Sequence, residues 1–253
     1  MELRKYMRSL VQRTGYDFHR LYLEPVRPVE FNDKDEAIWK LVEPYTLTGL
    51  TRCFALMKAT RYVLDHSIPG SLVECGVWRG GSSMLMAATL LSEGSKNREL
   101  WLYDTFTGMS TANDFDVDYL GLAAKDQMLE QQRSVNEINV WCYSPLDEVK
   151  NNMSLTGYPE YQLKYVVGDV CDTLLTEIPE SISLLRLDTD FYESTRAELE
   201  VLYPRLSKGG VIILDDYGHW NGARLAVDEF LESNSLRPLI HNVDFSCRMF
   251  IKD

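Results

Sequence analysis

The hydrophobic rhythm of the chain changes near residue 70. From Leu72 onward, short apolar runs alternate with stretches whose apolar positions recur at helical spacing. Leu72-Val-Glu-Cys-Gly76, Glu99-Leu-Trp-Leu-Tyr-Asp104, Leu163-Lys-Tyr-Val-Val167, Ile182-Ser-Leu-Leu-Arg-Leu-Asp188 and Val211-Ile-Ile-Leu-Asp215 read as five strands. The uninterrupted β-branched run of the fifth is typical of a strand covered on both faces. Residues 82–91 are apolar nearly all round and predict a buried helix. Residues 194–206 predict a helix with Ser194 as N-cap and Lys208-Gly-Gly210 as its stop. Residues 223–232 predict another helix. Residues 237–242 and 247–252 flank a short turn and predict a closing antiparallel hairpin.

Strands and helices that alternate imply parallel strands joined by right-handed crossovers. The expected fold is therefore α/β: a doubly wound, Rossmann-like, mostly parallel sheet with a C-terminal antiparallel hairpin. Ligands on such sheets sit at the carboxyl ends of the strands, near the switch point. Residues 1–67 are expected to form a helical N-terminal extension or lid, and residues 68–253 the sheet domain. A long polar insertion at about 105–160 contains Asn113-Asp-Phe-Asp-Val-Asp118. Connections of that length inside a compact domain are usually lids or extra helices.

The totals narrow the partners. With 253 residues, 45% hydrophobic, the chain can bury one large core. A formal net charge of −12 repels phosphate backbones, so no nucleic-acid partner is expected. It leaves room for a cationic ligand or a divalent metal. Cys53, Cys75, Cys142, Cys171 and Cys247 are scattered, with no Cys-x-x-Cys pair. They read as free thiols of a reducing compartment. The basic N-terminus has no long apolar stretch behind it, and no apolar run approaches the roughly 20 residues needed to cross a bilayer. A cytoplasmic protein without a membrane partner is expected. Tyr16, Phe18, Leu21, Tyr22 and Leu23 are apolar positions that the sheet may leave uncovered, which points to a homo-oligomer.

Three groups of residues carry candidate chemistry. Glu74, Gly76, Gly80 and Gly81 lie at the first strand-to-helix turn, where glycines let backbone amides approach a ligand. The spacing lacks the Gly-x-Gly start of the dinucleotide pattern. An acidic residue before the turn suits a cationic ligand such as the amino end of S-adenosylmethionine, although a plain tight turn would look similar. Asp104, closing the second strand, can accept both hydroxyls of an adenosine ribose. Gly168-Asp169, at the third strand end, could meet an adenine amine. Asp188, Asp215 and Asp216 fall at the ends of neighbouring strands. Three carboxylates in one crevice repel unless a cation sits between them, and Mg²⁺ suits a site that keeps waters for a substrate to displace. Solvated strand ends are the plainer alternative. His219 follows as a base or a packing group, with Trp220 beside it.

Several of these stretches are long enough to compare. Val73-Glu-Cys-Gly-Val-Trp-Arg-Gly-Gly-Ser82, Tyr103-Asp-Thr-Phe-Thr-Gly108, Arg186-Leu-Asp-Thr-Asp-Phe-Tyr-Glu-Ser-Thr195, Leu202-Tyr-Pro-Arg-Leu-Ser-Lys-Gly-Gly210 and Asp215-Asp-Tyr217 resemble the macrocin and mycinamicin O-methyltransferase family. The resemblance runs over residues 44–252. It implies a metal-dependent enzyme that uses S-adenosylmethionine to methylate hydroxyls, often on deoxysugars of natural products. By resemblance, Asp188, Asp215 and Asp216 hold the metal and Asp188 is also a candidate base. Glu74, Gly76, Arg79, Gly80, Gly81 and Ser82 match the cofactor loop, Asp104 and Thr105 the ribose end, and Gly168 and Asp169 the adenine side. Leu47 and Thr48 match a segment that closes over the cofactor. Residues 1–43 and 109–161 match no motif. The expected reaction is metal-assisted ionisation of a small-molecule hydroxyl, followed by in-line attack on the sulfonium methyl, with Asp188 or His219 taking the proton. A phenol or catechol acceptor competes with a sugar. An NAD-dependent oxidoreductase and a non-catalytic cofactor-binding protein are the rivals from other classes.

Overall fold

The computed structural model describes residues 27–131 and 142–253. The expected N-terminal oligomer contacts at Tyr16, Phe18, Leu21, Tyr22 and Leu23 lie outside the described residues. One compact unit begins at Asn32 and runs to the C-terminus, so it takes in most of the segment expected to be an extension ending at residue 67. Its first helix, α1 (Asp33–Val42), starts with a reciprocal cap. Asn32 Oδ1 accepts from the Lys34 and Asp35 amides, and Asp35 Oδ2 accepts from the Asn32 amide. The other oxygen of buried Asp35 pairs with Arg61 on α2 (Leu50–Asp65), which fastens the two helices together.

The sheet has seven strands: β1 (Ser71–Cys75), β2 (Leu100–Asp104), β3 (Leu163–Val167), β4 (Ile182–Leu187), β5 (Leu206–Leu214), β6 (His241–Asn242) and β7 (Arg248–Ile251). Their order is β3-β2-β1-β4-β5-β7-β6. β1 to β5 are parallel, and β7 runs antiparallel to β5 and β6, which gives the expected doubly wound sheet with a closing hairpin. The order reverses between β1 and β4, so a crevice opens at their carboxyl ends. Helix α3 (Gly81–Ser92) follows β1 and is buried along nearly all of its length, as its apolar pattern predicts.

Side chains alternate across the sheet. Val73, Cys75, Leu185, Leu187, Ile212 and Leu214 face a core completed by α7 (Tyr192–Leu202) and α8 (Asn221–Ser233). Glu74 and Arg186 are on the opposite face, where Ser83 of α3 meets Glu74.

One expectation is corrected. The helix predicted over 194–206 starts at Tyr192 and ends at Leu202, with Phe191 and not Ser194 at the N-cap. Pro204 supplies no amide to continue it, and a short 3₁₀ turn, Tyr203–Arg205, leads directly into β5. Lys208-Gly-Gly210 lies within β5, where Gly209 has φ +80° and donates to the Lys252 carbonyl at 2.7 Å. The glycines bend a strand there and do not stop a helix.

The long insertion carries α4 (Ala124–Gln131) and α5 (Leu146–Ser154). Its acidic stretch is ordered by internal hydrogen bonds. Buried Asp116 accepts from the Asn113 and Tyr192 amides, and Asp118 accepts from the Leu120 and Leu122 amides and from Gln127. A bridge between Asp118 and Trp220 fixes this loop beside the crevice. Short α6 (Val170–Thr173) follows β3.

Candidate active site

The crevice holds a cavity of about 570 Å³. One end is built from backbone. Gly76 has φ +83°, and a Cβ there would collide with the Asp188 carbonyl, so only glycine allows the ends of β1 and β4 to come together. A Cβ on Gly81 would strike the Tyr45 carbonyl and Thr46, which shows how tightly residues 45–48 lie on this turn. Leu47 and Thr48 line the cavity beside Gly76, Gly81 and Ser82. Asp104 lines it too, but its carboxylate already serves the turn. Oδ2 accepts from the Val77 and Trp78 amides at 2.7 and 2.9 Å, and Oδ1 accepts from Phe106 at 2.7 Å. Burial holds Asp104 above its usual carboxylate range, and these amides oppose that shift. Thr105 sits beside it and donates to the Gly108 carbonyl. Gly168 and Asp169 also line this end, where Asp169 Oδ1 caps α6 by accepting from the Cys171 amide.

Two expected loop residues, Arg79 and Gly80, do not line the cavity. Gly80 takes φ +88° as the N-cap of α3. Arg79 turns outward, donates to Glu148 of α5 at 2.7 Å and to the Pro44 carbonyl at 3.0 Å, and lies 5.3 Å from the Tyr45 ring. It clasps three segments around the turn.

The other end is built from charge. Asp188, Asp215 and Asp216 each present an oxygen within 4.8 Å of the others. Two arginines reach into this cluster, and the sequence reading gave neither a role. Buried Arg186 donates to Glu74, Asp188 and Asp215, each at 2.7 Å, and to Thr48 at 3.3 Å. Arg52 donates to Asp215 at 2.5 Å and to Asp244 at 2.7 Å. Glu74 also accepts from Ser83, so both of its oxygens are bonded inside the protein. Arg186 had a visible signal: a charge inside the apolar run Ile182-Ser-Leu-Leu-Arg-Leu must find partners when buried. Arg52 had none, because its helix pairs with the site only in three dimensions.

Asp190 completes the cluster. It lines the cavity with φ +68°, its carboxyl lies against that of Asp216, and it is not hydrogen-bonded to either arginine. Burial pushes its carboxyl up to about 7. Burial also raises Asp188 and Asp216; the Arg186 guanidinium opposes the shift at Asp188, and neighbouring carboxylates add to both. Asp216 Oδ2 is buried with no hydrogen-bond partner.

The rim is aromatic. Tyr119 packs edge-on to His219 at 5.3 Å and to Phe245 at 4.8 Å, and His219 packs on Trp220 at 5.1 Å. Burial lowers the His219 pKa, which keeps the imidazole neutral at neutral pH.

Comparison with known proteins gives this arrangement a family. Residues 20–252 match the family described as Macrocin-O-methyltransferase (TylF). The chain is 34% identical over 200 residues to 8-demethyl-8-(2,3-dimethoxy-alpha-L-rhamnosyl)-tetracenomycin-C 4'-O-methyltransferase of Streptomyces olivaceus, covering 79% of this chain and 72% of that one. It is 31% identical over 220 residues to demethyldecarbamoylnovobiocin O-methyltransferase of Streptomyces niveus, covering 83% and 80%. Among solved structures, the O-methyltransferase NovP superposes with a TM-score of 0.71 at 30% identity, over 82% of each chain. The calicheamicin methyltransferase CalS11 shares the fold, with a TM-score of 0.60 at 20% identity, over 93% of this chain and 98% of that one. The chain belongs to the macrocin O-methyltransferase family and is an S-adenosylmethionine-dependent O-methyltransferase.

Proposed function

We propose that the enzyme methylates a hydroxyl on a sugar carried by a natural product, at a divalent-metal site formed by Asp188, Asp215 and Asp216. The observation that carries this reading is the single cavity joining the glycine turn to the carboxylate cluster under an aromatic rim. The methyl donor belongs at the turn, with Leu47, Thr48, Glu74, Gly76, Gly81, Ser82, Asp104, Thr105, Gly168 and Asp169 around it, and Arg79 and Gly80 supporting the turn from outside. Aromatic faces suit the apolar face of a sugar ring or an attached aglycone. The relatives that act on a rhamnosyl tetracenomycin and on a novobiocin precursor support the acceptor class.

The residues present fit a hard cation. Among the described residues, the cations that pair with Glu74, Asp188, Asp190, Asp215 and Asp216 are Arg52 and Arg186, and Asp216 keeps a buried oxygen with no partner. All-oxygen donors suit Mg²⁺. When bound, such an ion would supply Lewis acidity to an acceptor hydroxyl. Arg186 and Arg52 orient Asp188 and Asp215 for this role. Because Arg186 already holds Asp188, we assign proton removal to Asp190, which lines the cavity and is hydrogen-bonded to neither arginine. His219 then serves the rim.

The test is methyl transfer from S-adenosylmethionine to a panel of rhamnosides and catechols, with Mg²⁺ or with EDTA. Mg²⁺-dependent turnover on rhamnosides is expected. Full turnover in EDTA would remove the metal, and turnover on catechols alone would move the acceptor to a phenol. Asp190→Asn should lose turnover while weakening Mg²⁺ binding only in part, whereas Asp188→Asn should lose both.

A further inference from the structure

The loop Asp188-Thr-Asp190 is held from both faces of the sheet. Arg186 grips Asp188 from the face that bears Glu74. On the opposite face, Glu198 of α7 is fully buried beneath the same loop. Its Oε1 accepts from Thr189 Oγ1 at 3.0 Å, the Cys75 thiol lies against the carboxyl, and Oε2 has no hydrogen-bond partner. No cation pairs with it among the described residues. A carboxyl left this way costs stability, so its place under the loop calls for a function. Thr189 lies between two residues of the carboxylate cluster, and its backbone position decides where both project.

We propose that Glu198 is a positioning residue that fixes the Asp188–Asp190 loop for divalent-cation binding through its hydrogen bond with Thr189. This rests on the metal reading given above. Outer groups that orient metal ligands typically change affinity by about 10- to 100-fold when removed. The Glu198 carboxyl acts as the acceptor for the Thr189 hydroxyl. An amide oxygen can replace that acceptor, but an alkyl group cannot.

The experiment measures Mg²⁺ binding by calorimetry on the full chain, together with KM for S-adenosylmethionine and the melting temperature. Glu198→Leu and Thr189→Val should each weaken Mg²⁺ binding by about tenfold or more. The double variant should be no weaker than either single, and Glu198→Gln should bind within about threefold of wild type, the span of ordinary context effects. KM for S-adenosylmethionine should stay constant throughout. If Glu198→Leu is too unstable to assay, Thr189→Val breaks the same bond from the loop side and decides the matter. Equal Mg²⁺ affinity in wild type, Thr189→Val and Glu198→Leu would overturn the role of Glu198 and leave the metal site standing. A wild type that binds no Mg²⁺ would overturn the metal reading and this inference with it.

Discussion

The two ends of the cavity are stabilised by different physics. At the glycine turn, shape depends on backbone: Gly76 at positive φ against the Asp188 carbonyl, and Asp104 collecting three amides. At the carboxylate end, shape depends on a charge balance. Arg186 and Arg52 hold some of the carboxylates, while Asp190 and Asp216 lie against each other with no hydrogen bond to an arginine. The first end is fixed by contacts within the chain. The second is only partly compensated, and a bound cation would complete it. The difference predicts that damage at the turn is indifferent to added metal and that damage among the charges is sensitive to it.

The strongest challenge to this contrast is Arg186→Met. It would leave Glu74, Asp188 and Asp215 without their shared partner on the buried face. Breaking a buried ion pair from one side costs about 3–5 kcal/mol. Chemical denaturation should show a loss of that order, partly recovered by millimolar Mg²⁺ because the ion restores positive charge. A loss that Mg²⁺ leaves untouched would mean the cluster does not share its compensation with a cation.

Gly76→Ala should come next and behave in the opposite way. An alanine in the left-handed region costs about 1–2 kcal/mol, and the clash with the Asp188 carbonyl adds about 1–3 kcal/mol. Stability and S-adenosylmethionine affinity should fall together, and Mg²⁺ should rescue neither. Rescue by Mg²⁺ would join the two ends into one system and erase the distinction.

The same contrast explains what the sequence made legible. The sheet could be read because five buried strands carry apolar runs that local pattern determines, and the turn could be read as a turn because glycines at a strand end allow the backbone to reverse tightly. The trio Asp188, Asp215 and Asp216 could be read because strand ends bring it together once the topology is known. The arginines that hold it come from β4 and from α2, and Arg52 meets Asp215 across 163 positions of sequence. No local rule encodes that pairing. Asp104 shows a subtler limit. Its position at the end of β2 was legible, but the three amides that occupy its carboxylate depend on how the turn folds back. The end of the helix before β5 was misplaced for a related reason: Lys208-Gly-Gly210 resembles a helix stop, and only Pro204 upstream shows that the helix has already finished.

The mildest effect is the dependence of Mg²⁺ binding on pH, and it concerns the uncompensated part of the cluster. An ordinary aspartate is ionised well below pH 6, whereas burial holds Asp190 up to about 7. Below that value it carries a proton, which a cation must displace from the carboxyls it shares with Asp216. Affinity should therefore fall as the pH drops through 7, and the raised Asp188 and Asp216 carboxyls should add to the effect. Calorimetry in buffers of different ionisation heat should detect more proton release on Mg²⁺ binding at pH 6.5 than at pH 8.5. An affinity that stays flat from pH 6 to 8 would mean that no proton competes with the cation, and that the carboxylate end is as preformed as the glycine turn.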